Sequence, residues 1–248
     1  MKTIIQYLFL IVLLMNTANA QNLKQVVYKD GMQKLNGLVT ENETNKLPGV
    51  LILPAWKGAD NEAKQAALDL SKEGYIAFIA DIYGEGNYPT NNAEAAKIAG
   101  KYKTDYSAYQ KRIELALQQL IEAGADSNKI AVIGYCFGGT GALEAARAQL
   151  PVLGVVSIHG GLAKDTVREN LPLKTKILIE HPAEDESVKQ EDISNLIIEM
   201  NAGNTDWQMI IYANSKHTFT NPESPDYNKQ MAIRAWQHTL LFLKELLK

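Results

Sequence analysis

The chain has 248 residues, 46% of them hydrophobic and 21% charged, with a formal net charge of −3 and a single cysteine. That composition belongs to an ordinary globular protein and excludes disordered, collagenous and disulfide-stapled chains. One thiol forms neither an internal disulfide nor a multi-thiolate zinc site, and the mild acidity offers no basic footprint for nucleic acid.

Residues 1–20 read as a secretory leader. Lys2 precedes a mostly apolar run from Ile4 to Met15, and Ala18-Asn19-Ala20 ends the segment before Gln21. A basic start, an apolar stretch and an A-x-A ending predict cleavage after Ala20. The run is shorter than the roughly 20 apolar residues a membrane span needs. No cysteine at the cleavage point invites lipid attachment. The expected mature chain is residues 21–248, and losing Lys2 takes the net charge from −3 to −4. Its expected location is periplasmic or extracellular, with no membrane association once the leader is gone. In an oxidising compartment an unpaired thiol is either buried and inert or kept for its reactivity.

Residues 21–248 show no repeat, low-complexity tract or linker, so one domain is expected. Leu23 to Thr40 suggests an antiparallel hairpin turning near Asp30-Gly31. Apolar β-type runs follow at Val50–Leu53, Tyr75–Ile82, Ile130–Ile133, Leu153–Ile158, Ile177–Ile179 and Trp207–Tyr212. Near-continuous runs of this length suit parallel strands covered on both faces. Helical patterns lie between them. Tyr109 to Ala123 puts Ile113, Leu117, Leu120 and Ile121 on one stripe ahead of Gly124, and about Asn228 to Leu247 repeats this with Trp236, Leu240, Leu243 and Leu247. The alternation predicts an α/β class, a doubly wound and mostly parallel sheet with helices on both faces. Ligands of such sheets bind beyond the C-terminal strand ends.

One strand end carries chemistry. After Ile130–Ile133 comes Gly134-Tyr135-Cys136-Phe137-Gly138-Gly139, then a helix-like Thr140–Leu150. This is the strand–turn–helix of a G-x-S-x-G nucleophile elbow with cysteine at the apex. Glycines two residues either side relieve collisions around a strained apex, and the following helix N-terminus favours a thiolate. A small buried hydrophobe is the other reading of such a cysteine. The spacing fits neither G-x-G-x-x-G nor a phosphate loop, so no nucleotide cofactor is implied, and no metal is expected.

A relay on this topology runs nucleophile, acid, histidine along the chain. Of the four histidines, His217 lies in the loop after Trp207–Tyr212 and suits the base. His238 falls within the last helical pattern, and His159 comes too early to leave room for an acid, although it is a candidate to line the pocket. The acid should follow Ile177–Ile179, where Glu180, Glu184, Asp185 and Glu186 crowd together, and spacing does not choose among them. His181 in that loop reads as a strand-end residue. Two backbone donors should hold an oxyanion. Phe137 is one, and Ala55 or Trp56, after Val50–Leu53 and Pro54, is the other.

These residues resemble the dienelactone hydrolase family of α/β-hydrolases, over about Val26 to the C-terminus. Gly134 to Gly139, Asp81-Ile82-Tyr83-Gly84, Ala183 to Val188 and His217-Thr218-Phe219 carry the resemblance. It implies an α/β-hydrolase fold, a Cys136–His217–Asp185 triad and Trp56 as the second oxyanion donor. It further implies a substrate pocket touching Ala55, Tyr83, Glu85, His159 and Asn221. The family places a glutamate against the resting thiol where this chain has Ala55. Its two carboxylate-binding arginines correspond to Glu85 and Asn221, so the clamp on an anionic substrate is lost. The expected activity is cysteine-dependent hydrolysis of a small ester or lactone through a thioester, by a protein expected to be monomeric. A thioesterase or acyltransferase, or a secreted binding domain without turnover, are the alternatives.

Overall fold

Alternation along the strands builds the two layers of the core. In β3 (Leu47–Leu53), Val50 and Ile52 are buried against one face of the sheet and Leu51 and Leu53 against the other. Such period-2 packing is available only to a strand covered on both sides. The computed structural model describes residues 22–42, 44 and 46–248, so the leader read in residues 1–20 lies outside the described part.

The other strands are β1 (Leu23–Asp30), β2 (Gln33–Thr40), β4 (Ile76–Ile79), β5 (Ala125–Tyr135), β6 (Gly154–Ile158), β7 (Lys176–Pro182) and β8 (Trp207–Tyr212). They form one eight-stranded sheet in the order β1-β2-β4-β3-β5-β6-β7-β8. β1 and β2 pair antiparallel as the predicted hairpin, β2 pairs antiparallel with β4, and all later pairs are parallel.

Helices α1 (Asn61–Lys72) and α6 (Lys229–Leu247) cover one face, packing Ala63, Ala67, Leu70, Leu243 and Leu247 onto Ile52, Ile133 and Val156. Helices α2 (Asn92–Thr104), α3 (Tyr106–Glu122), α4 (Phe137–Arg147) and α5 (Gln190–Ala202) cover the other, through side chains such as Ile113, Leu117, Leu143, Leu196 and Met200. Among the described residues no helix is long and apolar enough to cross a membrane.

Several boundaries differ from the sequence expectation, and three of them have a visible cause. The run read as a strand to Ile82 leaves the sheet after Ile79, because Asp81 intervenes. Asp81 Oδ1 accepts the amides of Tyr83 and Gly84 at 3.1 and 2.9 Å, a side-chain-closed turn that replaces ladder partners. Strand β5 begins five residues before Ile130, since Ala125 already pairs with Leu47 across a bulge that leaves Asp126 to Lys129 without register partners in β3. Helix α4 starts at Phe137 rather than Thr140, directly after the apex cysteine.

Candidate active site

The elbow is strained where the glycine pattern requires. Cys136 has φ +52° and ψ −112°, a conformation that costs a non-glycine residue of order 1–3 kcal/mol and persists only when its surroundings enforce it. A Cβ on Gly134 would collide with the Gly138 carbonyl, and one on Gly138 with the Leu53 carbonyl of β3. The turn is therefore closed to any side chain at either position. The apex amide donates to the Ile158 carbonyl of β6 at 3.0 Å and lies 3.1 Å from His159 Nδ1.

Above the apex, three residues from three loops meet. His217 Nε2 lies 3.0 Å from Cys136 Sγ, and His217 Nδ1 lies 2.8 Å from Asp185 Oδ2. Asp185 follows β7 and its side chain is fully buried. Its other oxygen accepts the Ser187 hydroxyl at 2.6 Å and the Ser187 amide at 2.9 Å. Burial alone would raise the Asp185 carboxyl, but the hydrogen bonds from His217 and Ser187 outweigh it and hold the group down at about 2. Burial alone would lower His217, yet its bonds to Asp185 and Cys136 lift it to about 10. The arrangement thus favours an imidazolium facing sulfur.

The Phe137 amide, at the first position of α4 where helix geometry leaves the N–H free, has no hydrogen-bond acceptor among the described residues, and neither Ala55 nor Trp56 in the loop after β3 has one for its amide. The Tyr83 hydroxyl donates to the Trp56 carbonyl at 2.8 Å, and Gly58 N donates to Ala55 O at 2.9 Å, so the loop after β3 is held. Tyr109 stacks on Phe137 at 4.5 Å between centroids and donates to its carbonyl at 2.9 Å.

Two cavities adjoin this centre. One of about 420 Å³ is lined by Ala55, Lys57, Tyr83, Tyr88 and Phe137. The second, about 520 Å³, reaches Lys103, Thr140, Arg168, Ser187 and Val188. Among the described residues no group of three or more His, Cys, Asp or Glu is placed to hold a metal ion.

The geometry matches a known lineage: the dienelactone hydrolase family model fits residues 35–247. The chain belongs to the dienelactone hydrolase family. A Bradyrhizobium protein with the provisional name 2-oxo-3-(5-oxofuran-2-ylidene)propanoate lactonase is 27% identical over 227 residues, covering 87% of this chain and 90% of its own. A Saccharolobus solfataricus protein provisionally named carboxymethylenebutenolidase is 24% identical over 259 residues, covering 91% and 99%. The crystal structure of a dienelactone hydrolase-like promiscuous phosphotriesterase from metagenomic libraries superposes with a TM-score of 0.85 at 28% identity, covering 92% of this chain and 99% of that one. The sheet and its helices are accordingly an α/β-hydrolase fold, and the protein is a hydrolase of this family.

Against the family pattern, the expected pocket residues scatter. Ala55 and Tyr83 line the 420 Å³ cavity beside Phe137. Glu85 does not join them. Its exposed carboxylate lies 4.0 Å from Lys34 Nζ, because Gly84 and Gly86 turn the loop outward over β2. Asn221 lies on the α1/α6 side, with Oδ1 accepting the Glu223 amide at 2.9 Å. His159 is 1% exposed and sits behind the elbow rather than in an open pocket. Its Nε2 lies 2.8 Å from Thr220 Oγ1, which donates to Glu62 Oε1 at 2.6 Å. Burial, helped by the charge of His217, pushes His159 down to about 3, so the neutral ring accepts the Cys136 amide and donates to Thr220. Of the other acids read after Ile179, Glu180 lies within β7, buried, and accepts from Thr239, while Glu184 and Glu186 are exposed. His238 meets Tyr212 at 2.8 Å within the α6 packing.

Ser187, Thr220 and Glu62 were not anticipated from the sequence. Ser187 carried a usable signal, since an Asp followed two residues later by Ser closes on itself readily. Glu62 and Thr220 are 158 residues apart and carried none.

Proposed function

We propose that the protein is a secreted cysteine hydrolase acting on uncharged carboxylic esters or lactones through a thioester. The observation that carries the reading is the continuous chain from Cys136 Sγ to His217 at 3.0 Å and on to Asp185 at 2.8 Å, on a strained elbow apex. Asp185 holds Nδ1 and sets the tautomer, and His217 keeps the sulfur in its nucleophilic form. The thiolate adds to the substrate carbonyl, and the Trp56 and Phe137 amides receive the negative oxygen. Collapse breaks the C–O bond, with the His217 proton going to the departing alkoxide. A water then loses its proton to His217, attacks the thioester and releases the acid, restoring the thiolate.

An uncharged substrate is favoured because neither Glu85 nor Asn221 supplies the positive charge an anionic acyl group needs. The leader read in residues 1–20 would deliver the enzyme across a membrane, where its lone thiol has no internal partner. The test is turnover of a panel of p-nitrophenyl esters, lactones and acyl thioesters by wild type and Cys136→Ala. Esters or lactones should be the better substrates, and Cys136→Ala should lose at least about 10³-fold in kcat. Thioester preference would redirect the reading to a thioesterase, and turnover that survives Cys136→Ala would end it.

A further inference from the structure

One buried ring ties the nucleophile to the loop that carries the base. His159 follows β6 directly, with Nδ1 3.1 Å from the Cys136 amide and Nε2 2.8 Å from Thr220 Oγ1. Thr220 is three residues beyond His217, in the same loop. Sγ and His217 Nε2, which meet at 3.0 Å, therefore both hang from segments that the His159 side chain holds. The proposed reaction itself uses no atom of His159.

The proton positions along this chain are fixed from its far end. Burial lifts the Glu62 carboxyl to about 7, so at pH 8 it is mostly ionised and can only accept. The Thr220 hydroxyl gives its one proton to Glu62 Oε1 at 2.6 Å. Its oxygen then offers His159 lone pairs alone, so Nε2 must carry the ring proton. Burial keeps the ring neutral, and a neutral ring has one N–H, which leaves Nδ1 as an acceptor facing the apex amide. That amide also donates to the Ile158 carbonyl at 3.0 Å, so the ring is an added acceptor and not the bond that joins the elbow to β6.

Packing alone does not account for this arrangement. His159 has φ +39°, a left-handed conformation that persists only where the surroundings enforce it. Its ring lies among those of Tyr135, Phe219 and His217, at 6.1, 5.9 and 5.3 Å between centroids. An apolar ring would fill that space without the cost of burying an imidazole and the Glu62 carboxylate that orders it. We propose that His159 is a positioning residue for the hydrolytic centre, spacing the Cys136 apex from the His217 loop through hydrogen bonds at both ring nitrogens. The proposal rests on the reading of Cys136 as nucleophile and His217 as base.

Steady-state kinetics at pH 8 on the best ester, with His159→Phe, His159→Asn, Thr220→Val and Cys136→Ala, test it beside 15N NMR of the imidazoles. Phe keeps a ring but neither hydrogen bond, so kcat should fall by about tenfold to a hundredfold while KM stays within about twofold. Asn sets an amide oxygen close to the place of Nδ1 and tolerates a positive φ, so it should recover kcat to within about fivefold of wild type. Thr220→Val keeps the shape without the hydroxyl and should lower kcat by less than Phe does. In wild type the NMR spectrum should show the His159 proton on Nε2, a readout that stands whether or not the Phe variant folds. A ring serving packing alone would lower the unfolding midpoint and leave the kcat of the folded enzyme unchanged. Wild-type kcat in His159→Phe while Cys136→Ala is inactive, no recovery by Asn, or a proton on Nδ1 would overturn the proposal. Turnover that survives Cys136→Ala would instead overturn the esterase reading, and this proposal with it.

Discussion

Helix α4 has a buried charge cluster at each end, and the two are built to opposite specifications. At its C-terminal end Arg147 gives Nε and Nη2 to Glu199 at 3.0 and 2.8 Å and Nη1 to Glu144 at 3.0 Å. Arg168 clamps both oxygens of Glu144 at 2.9 Å. Every charge there is met by at least one opposite charge, and the Arg147, Glu144 and Glu199 side chains are only 4–6% exposed. At its N-terminal end the triad has one acid, one base and one sulfur in series, and the His217 side chain is 28% exposed. Saturated partners make a rivet between α4, α5 and the loop after β6. A series with one reactive terminus makes a site whose charge can be passed to a substrate.

The comparison predicts opposite readouts for substitutions at the two ends. The largest effect belongs to Asp185→Asn. An amide still fits beside Ser187 but presents the wrong partner to Nδ1, so kcat should fall by about 10³–10⁴, measured on the best ester, with little change in unfolding midpoint. A loss below tenfold would mean that Asp185 does not orient the histidine.

Next comes Arg147→Met. Removing Arg147 leaves the buried Glu199 with only Lys164 Nζ at 3.5 Å, while Glu144 keeps Arg168, so the loss should approach the roughly 3–5 kcal/mol of a broken buried pair. Urea unfolding should show that loss, while the turnover of the remaining folded protein changes little. A stable variant with impaired kcat would show that the rivet is coupled to the elbow.

The smallest effect sharpens the pH behaviour. With His217 raised to about 10 and Asp185 lowered to about 2, the ion pair spans the neutral range. The ring protons of His217, followed by NMR, should therefore show no titration step between roughly pH 5 and 8, where a free imidazole of pKa about 6.5 would pass through its midpoint. A step near that free-imidazole value contradicts the pairing. The stabilities follow in sign. The Asp185 contribution is complete above its unfolded value and is lost as pH falls toward about 2. The His217 contribution is complete below its unfolded value and is lost as pH rises through about 10. Between these limits both contributions are present together.

Much of this was legible along the chain. The hairpin, the parallel strands, the elbow and His217 each announce themselves in a short window, because strand periodicity, turn glycines and strand-end loops are local properties. The acid was local too, yet ambiguous: four carboxylates follow one strand, and backbone direction alone decides that Glu180 points under the sheet while Asp185 points at His217. Helices α1, α2 and α5 were not singled out, since their buried faces rest on alanines or on two large residues rather than a broad apolar stripe. His159 was placed in a pocket by its position after β6, whereas its positive φ of 39° turns the ring behind the apex.

The sequence by itself indicated the fold class and the candidate nucleophile and base, because a strained Gly-x-Cys-x-Gly turn admits few alternatives and the chain has a single cysteine. Spacing left the acid open and resemblance alone pointed to Asp185; only the tertiary structure put its carboxylate on His217 and joined Glu62 and Thr220 to the elbow across 158 residues. Those outcomes depend on which groups burial brings together and strips of water, a property no window of the chain contains.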